Sequence, residues 1–256
     1  MADDLRETVL AKDWGATLLA REIGPASAGR IADLVGHEDR DVRLLAVTCL
    51  GDVGGTDAGM ALVKALLDDD LQVRETASRG LMAHPDPKLW PGLIDAFDRS
   101  QDPYVRQQIP MIICAGEEAK PYAGPLVDRW KKETDESVRE GFVVGLSRMG
   151  DEQARSEFVK LLHASAGDRR DRMLKYCEYI GQEWLLKPLR PILADAAELR
   201  YVGPHGFDVN LRACDIAVRL VAGISRRKFS FPVAGPRNYT PQQIDEVRRY
   251  LDGLPK

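Results

Sequence analysis

The sequence predicts an all-α fold, an α-solenoid of about six helical hairpins closed by N- and C-terminal capping helices. Three observations carry the prediction. First, a short motif recurs: Asp39-Arg-Asp-Val42-Arg43 returns as Asp70-Leu-Gln-Val73-Arg74, Asp102-Pro-Tyr-Val105-Arg106 and Asp135-Glu-Ser-Val138-Arg139. A weaker copy is anchored on Arg170 and a late one reads Asp208-Val-Asn-Leu211-Arg212, so the steps between arginines are 31, 32, 33, 31 and 42 residues. That period is the length of one helix–turn–helix unit in a repeat array. Second, apolar or small residues recur three, four, seven and ten places after the arginines, as in Ala46, Val47, Leu50 and Val53. Phe142, Val143, Leu146 and Met149 repeat the pattern, as do Met173, Leu174, Cys177 and Ile180, which is a helical stripe and not strand alternation. Third, another apolar helix precedes every copy, from Ile31/Leu34/Val35 through Leu126/Val127/Trp130 to Trp184/Leu185/Leu189/Leu193.

Each element has a local reason. The motif aspartate is an expected N-cap, accepting from free backbone N–H groups at the positive end of the helix dipole. The arginine four residues on is then its expected i,i+4 partner. Glycine or proline closes most units, as at Gly54, Pro85, Gly150, Gly181 and Gly223. Residues 1–24 read as an N-terminal cap of one or two helices with Leu18, Leu19 and Ile23 facing inward, residues 25–225 as the repeats, and 226–256 as a loop and capping helix, all in one domain. The third second-helix, Tyr104 to Ala115, is apolar almost all round and contains Pro110, which removes a backbone bond. Pro188 and Pro191 break the helix after Gln182, and Glu198 to Phe207 is an insertion that lengthens the last step. Asp215 takes a place that is apolar in every other copy, so it must be paired, with Arg212 or the inserted loop. Phe229 and Phe231 are expected to fold over the last repeat, and Thr240-Pro241-Gln-Gln243 is a capping-box start for the final helix.

Composition limits the function. With 36 Lys and Arg against 40 Asp and Glu the net charge is −4, which argues against a general nucleic-acid or anionic-membrane binder. The first residues, Met1-Ala-Asp-Asp-Leu-Arg-Glu, have no basic and apolar leader pattern, no run reaches the length of a membrane span, and the expected compartment is the cytoplasm. Cys49, Cys114, Cys177 and Cys214 sit at or beside apolar helical positions without metal-ligand spacing, and read as buried thiols. Gly54-Gly55-Thr56 is a turn and not a phosphate loop, and no Ser/His/Asp order is present. No metal, cofactor or catalytic residue is expected.

The Asp-x-x-Val-Arg opening followed by Ala46-x-x-x-Leu50-Gly51 resembles the HEAT-repeat group in its short bacterial form, over roughly residues 25 to 225. The resemblance implies a right-handed solenoid of HEAT-like hairpins, with the second helices lining a concave side. It also implies a ladder between neighbouring repeats, formed by Asp39, Arg43, Asp70, Arg74, Asp102, Arg106, Asp135 and Arg139, with Arg170 continuing the column. Two enzymatic relatives are tested by it. The deoxyhypusine hydroxylases hold two irons with several His-Glu pairs, whereas only His37-Glu38 occurs here; His84, His163 and His205 have no following Glu. The alkylpurine glycosylases are basic, unlike this chain, and phycobilin lyases share the period without a motif that carries their activity here.

On the concave side, helix geometry exposes positions two, five and nine after each arginine. These give Gln108, Met111 and Ala115, then Gly141, Val144 and Arg148, then Arg172, Lys175 and Tyr179. Met, Val, Tyr and Arg together have the composition of a protein-binding surface, so the expected function is a non-catalytic scaffold or adaptor that binds a partner protein or peptide there. The alternative is a nucleic-acid or anion binder using Arg148, Arg172, Lys175 and Arg226-Arg227-Lys228. A HEAT-fold enzyme such as a lyase, with its pocket near Asp215 and the 198–207 insertion, comes third.

Overall fold

A computed structural model describes residues 2–202 and 208–254. Contacts divide the chain into two compact units, residues 1–149 and 150–256, where the sequence suggests one continuous domain. In the first unit, α1 (Ala2–Leu10) and α2 (Ala16–Ile23) lead in, and a run of 3-10 turns around α3 (Ala28–Ile31) forms the first half of hairpin one. Its second half is α4 (Arg40–Val53). Then follow α5 (Thr56–Ala65) with α6 (Leu71–Ala83), α7 (Trp90–Arg99) with α8 (Pro103–Ile113), and α9 (Ala123–Lys132) with α10 (Glu136–Met149). The second helices pack side by side, α4 on α6, α6 on α8 and α8 on α10, while α5 meets α7 behind them. This is the stack of helical hairpins that the 31- to 33-residue period requires.

The second unit holds α11 (Glu152–Ala164) with α12 (Gly167–Ile180), α13 (Leu186–Leu189) flanked by 3-10 turns, α14 (Ala213–Ser225) and the closing α15 (Pro241–Asp252). The prolines break the segment after Gln182 as expected: the backbone is 3-10 over Glu183–Leu185 and again over Pro191–Ala194. The insertion departs from an all-helical reading. Glu198–Val202 (β1) pairs antiparallel with Asp208–Arg212 (β2), with Leu199 opposite Leu211. The late motif copy therefore opens no helix. Asp208 lies in a strand, and α14 begins only at Ala213, because residues 208–212 satisfy their backbone groups across the sheet. His205 and the rest of residues 203–207 lie outside the described residues.

The core follows the stripe: Leu45, Leu50, Leu62, Leu81, Phe142 and Phe158 are buried, each worth about 1.5–3 kcal/mol of transfer free energy. Phe142 meets Phe97 edge-on, with 5.5 Å between ring centres. One expectation of the lead-in needs correction. Leu18 is 67% exposed, and the buried face is Leu5, Val9, Ala16 and Ala20, because α2 starts at Ala16 and turns that side inward. Trp14, just before it, is also exposed. At the other end Phe231 and Tyr239 are buried and Phe229 stacks on Phe231, while Arg227 lies 4.7 Å over the Tyr250 ring. Thr240 and Gln243 make the reciprocal capping box of α15.

Candidate functional site

The repeated motif is built around loops. Asp39, Asp70 and Asp102 are N-caps, each accepting from the backbone N–H two residues on, at 2.8–2.9 Å; Asp135 does the same from Ser137. The arginines do not pair with their own caps. Arg43 reaches back to the carbonyl oxygens of His37 and Glu38 and forward to Asp68, donating to both carboxylate oxygens at 2.7 and 3.0 Å. Arg74 binds the Asp68 and Asp69 carbonyls and meets Asp102 of the next hairpin at 3.3 Å. Arg106 takes Glu133, Arg139 takes the Trp130 and Glu133 carbonyls, and Arg170 takes the Ser165 carbonyl and Asp195. The reason is reach: a cap four residues back is already turned onto its own N–H groups, whereas the preceding loop's carbonyls have no helical partner. Asp39 receives its cation from Lys12 of the lead-in and Asp70 from Arg40 of the hairpin before. The Lys12 ammonium, then the Asp41 N–H, hold Asp39 below the usual carboxylate range, and the Val73 N–H, then Arg40, hold Asp70 below it.

Asp215 is fully buried and accepts from the Arg212 backbone N–H, from Arg212 Nε and Nη2, and from the Tyr239 N–H, all within 3.1 Å. Arg212 also donates to the Tyr239 carbonyl, so this pair ties the strand, α14 and the C-terminal segment together. Every lone pair of the carboxylate faces a structural donor.

Two clefts open between second helices. In the first unit a 370 Å³ cleft runs between α4 and α6. Gly51 and Gly80 make its floor: a Cβ added to Gly80 would fall 2.7 Å from the Gly51 Cα, so only glycine lets the helices meet there. Leu44, Thr48 and Asp52 form one wall, Gln72, Thr76, Arg79 and Ala83 the other, and Trp14 stands at the edge, 56% exposed. Asp52 is paired with Arg21 at 3.0 Å, and Arg79 donates to the Thr76 hydroxyl at 3.0 Å. In the second unit a 580 Å³ cleft lies between α12 and α14, lined by Leu174, Lys175, Glu178, Ile216, Arg219 and Leu220 among others. Lys175 there pairs with Asp171 at 2.7 Å.

The residues expected on the concave face are distributed differently. Met111 is 4% exposed and Val144 is fully buried, so neither faces an open surface. The cause is the packing of α8 on α10, where Gly141 and Gly145 lie directly against main-chain carbonyls. A Cβ on Gly141 would collide with the Gln107 oxygen, and one on Gly145 would sit 2.8 Å from the Pro110 oxygen. Gln108 accepts from the Ser78 hydroxyl, and Arg148 donates to the Ala115 carbonyl, which ties both into the seam. Arg172 is exposed, Tyr179 is half-buried, and Lys175 lines the second-unit cleft. The same places in copies one and two give Leu45, Thr48, Asp52, Thr76, Arg79 and Ala83, of which Leu45 is buried in the core and the other five line the cleft. The glycines at 51 and 80 were the available signal.

For chemistry, burial pushes the Cys49 and Cys177 thiols up to about 12 and raises Cys114 as well, so they stay protonated at neutral pH. Among the described residues no group of three His, Cys, Asp or Glu is placed to hold a metal ion, and no helix is long and apolar enough to cross a membrane.

Residues 27–113 match the family described as HEAT repeats. A comparison with curated proteins gives no match. Among solved structures, the complex of CpcE and CpcF of phycocyanin lyase from Nostoc sp. PCC7120 is similar, with a TM-score of 0.57 at 16% identity over 99% of this chain and 94% of that one. At that identity the likeness is one of fold. Human deoxyhypusine hydroxylase aligns over 98% of this chain and 94% of its own at 16% identity, with a TM-score of 0.40. The HEAT-like repeats protein of Thermococcus onnurineus NA1 aligns over 98% and 97% at 17% identity, with a TM-score of 0.42.

Proposed function

We propose that this chain, whose residues 27–113 match HEAT repeats, is a non-catalytic scaffold that grips a segment of a partner protein in the cleft between α4 and α6. The observation that carries the reading is the lining of that cleft: an exposed tryptophan over a glycine floor, with leucine, two threonines, a glutamine and an arginine on the walls. Aromatic side chains and arginine supply most of the binding energy at protein interfaces, and hydroxyl and amide groups accept or donate to a partner's backbone. The α12/α14 cleft, with Lys175 on its wall and Arg172 and Tyr179 on the same helix, is a second contact of the same kind. The Nostoc structure is itself a complex of two proteins, which agrees with a protein partner.

The test is affinity capture with the wild-type chain, Trp14→Ala and Ala83→Trp, the last filling the cleft from its exposed end. A protein that survives a high-salt wash on the wild type and is lost from both variants supports the reading. Retention by both variants, with their folds intact, rejects the cleft as the binding surface. Nucleic acid released by salt would instead favour a phosphate-binding role, since such binding falls steeply with ionic strength.

A further inference from the structure

Charges on the α4/α6 cleft are not balanced alike. On α4, Asp52 is neutralised by Arg21 at 3.0 Å. Outside the lining, Arg40, which also donates to the cleft residue Gln72, meets Asp41 and Asp70, and Lys12 meets Asp39. Arg79 on α6 differs: its one acceptor among the described residues is the Thr76 hydroxyl, a neutral group one turn back. Glu75, four residues earlier on the same helix, forms no ion pair with it among the described residues. The Thr76 bond holds the guanidinium along the cleft wall, and its remaining N–H donors have no acceptor among the described residues. At the edge, Trp14 and Leu18, one turn on from it, are 56% and 67% exposed, whereas Leu44 in the wall is buried. The cleft therefore offers an apolar platform and one uncompensated cation, joined by a floor too narrow for any residue but glycine.

We propose that the segment bound in this cleft is acidic: a stretch of a partner protein that lays an aromatic or long aliphatic side chain on the exposed Trp14 and gives a carboxylate to Arg79. The inference rests on the scaffold reading and names the chemistry of its ligand. A guanidinium donates to a carboxylate through two parallel hydrogen bonds, and the Thr76 contact already holds the exposed Arg79 side chain beside the cleft in position to make them. A basic segment would leave Arg79 facing a like charge. Phosphate backbones are disfavoured too, because nucleic-acid sites need several cations, and among the residues lining this cleft Arg79 alone is cationic.

The test uses the whole chain as bait for a displayed library of random twelve-residue peptides, with peptides selected on the wild type and then measured on variants. The expected consensus pairs Asp or Glu with Trp, Phe or Leu. Arg79→Glu should weaken those peptides at least tenfold and, in a fresh selection, shift the consensus to Lys or Arg. Trp14→Ala should weaken them without changing the preferred charge, and Ala83→Trp should abolish binding. Circular dichroism melts establish that each variant folds. Peptides that are lost with Ala83→Trp yet show no acidic preference and ignore Arg79→Glu would overturn this inference while leaving the cleft as a peptide site. Peptides indifferent to Ala83→Trp would overturn the cleft itself.

Discussion

The α4/α6 pair and the α8/α10 pair are made from copies of one motif, yet the first leaves an open cleft and the second is sealed. The difference lies in where glycine falls. Gly51 and Gly80 meet at a single point, and the residues around them, Thr48, Asp52, Thr76 and Arg79, are larger and polar, so they stand as walls. On α10, Gly141 and Gly145 are one turn apart, and both press on carbonyls of α8, so contact runs along a whole turn. Residues 140–147 are buried without interruption. A repeat period sets which helices are neighbours; the small residues set whether a neighbouring pair can admit a guest.

The largest predicted effect tests this contrast at one register position. Thr48, Arg79, Met111 and Val144 all stand five residues after the motif arginine. Val144→Asp and Met111→Asp place a charge in a sealed seam, and each should lower stability by about 4 kcal/mol or more, enough to unfold a marginal domain. Arg79→Ala, on the open pair, should stay within about 0.5 kcal/mol. Urea titration followed by circular dichroism reads all three. Equal midpoints for Val144→Asp and Arg79→Ala would erase the distinction between the two pairs.

Next in size is the glycine contact itself. Gly141→Ala must push α10 off the α8 backbone, an overpacking cost of about 2–3 kcal/mol. Gly80→Ala, set against the Gly51 Cα, should cost about 1–2 kcal/mol by the same mechanism, because a single touching point can relax more easily than a full turn. Gly223, inside α14, is the counterpart where nothing lies within 4 Å of an added Cβ. There alanine should stabilise by about 0.5–1 kcal/mol, through helix propensity alone. Thermal melts that rank Gly223→Ala above wild type, and Gly80→Ala above Gly141→Ala, are the expected order.

Much of this fold was legible in the chain because its signals are local. The caps at Asp39, Asp70, Asp102 and Asp135, the broken segment around Pro188, and the Thr240–Gln243 box each need only a few consecutive residues. Asp215 was legible as a residue in need of a partner, with Arg212 and the inserted loop both open, and the structure gives it Arg212. What was not legible depends on distant geometry. Arg43 pairs with Asp68 twenty-five residues away. The strand at Asp208–Arg212 kept the spacing of a helix start while its backbone bonds went to β1. Met111 and Val144 looked like an exposed face because exposure was inferred from helix phase, and phase says nothing of how closely the next helix approaches.

The smallest effect separates the pairs by the source of their cap electrostatics. The carboxyls of Asp39, Asp70 and Asp135 all lie below the ordinary value of 3.8. For Asp39 the first cause is the Lys12 ammonium, across hairpins; for Asp135 it is the Ser137 hydroxyl, within the same turn. A carboxyl depressed in the folded state binds its proton more weakly than in the unfolded chain. Its contribution is therefore present above the unfolded value, near pH 4, and is lost as pH falls through the folded one. Melting temperature should drop as the solution is taken below pH 4, and Lys12→Met should flatten the part of that slope owed to Asp39. Added salt should do the same for Asp39 and leave Asp135, whose partner carries no charge, unmoved. A Lys12→Met variant whose acid limb overlays that of the wild type, with and without salt, would mean that the cross-hairpin ion pair carries no linkage and that the open pair's caps behave like the sealed pair's.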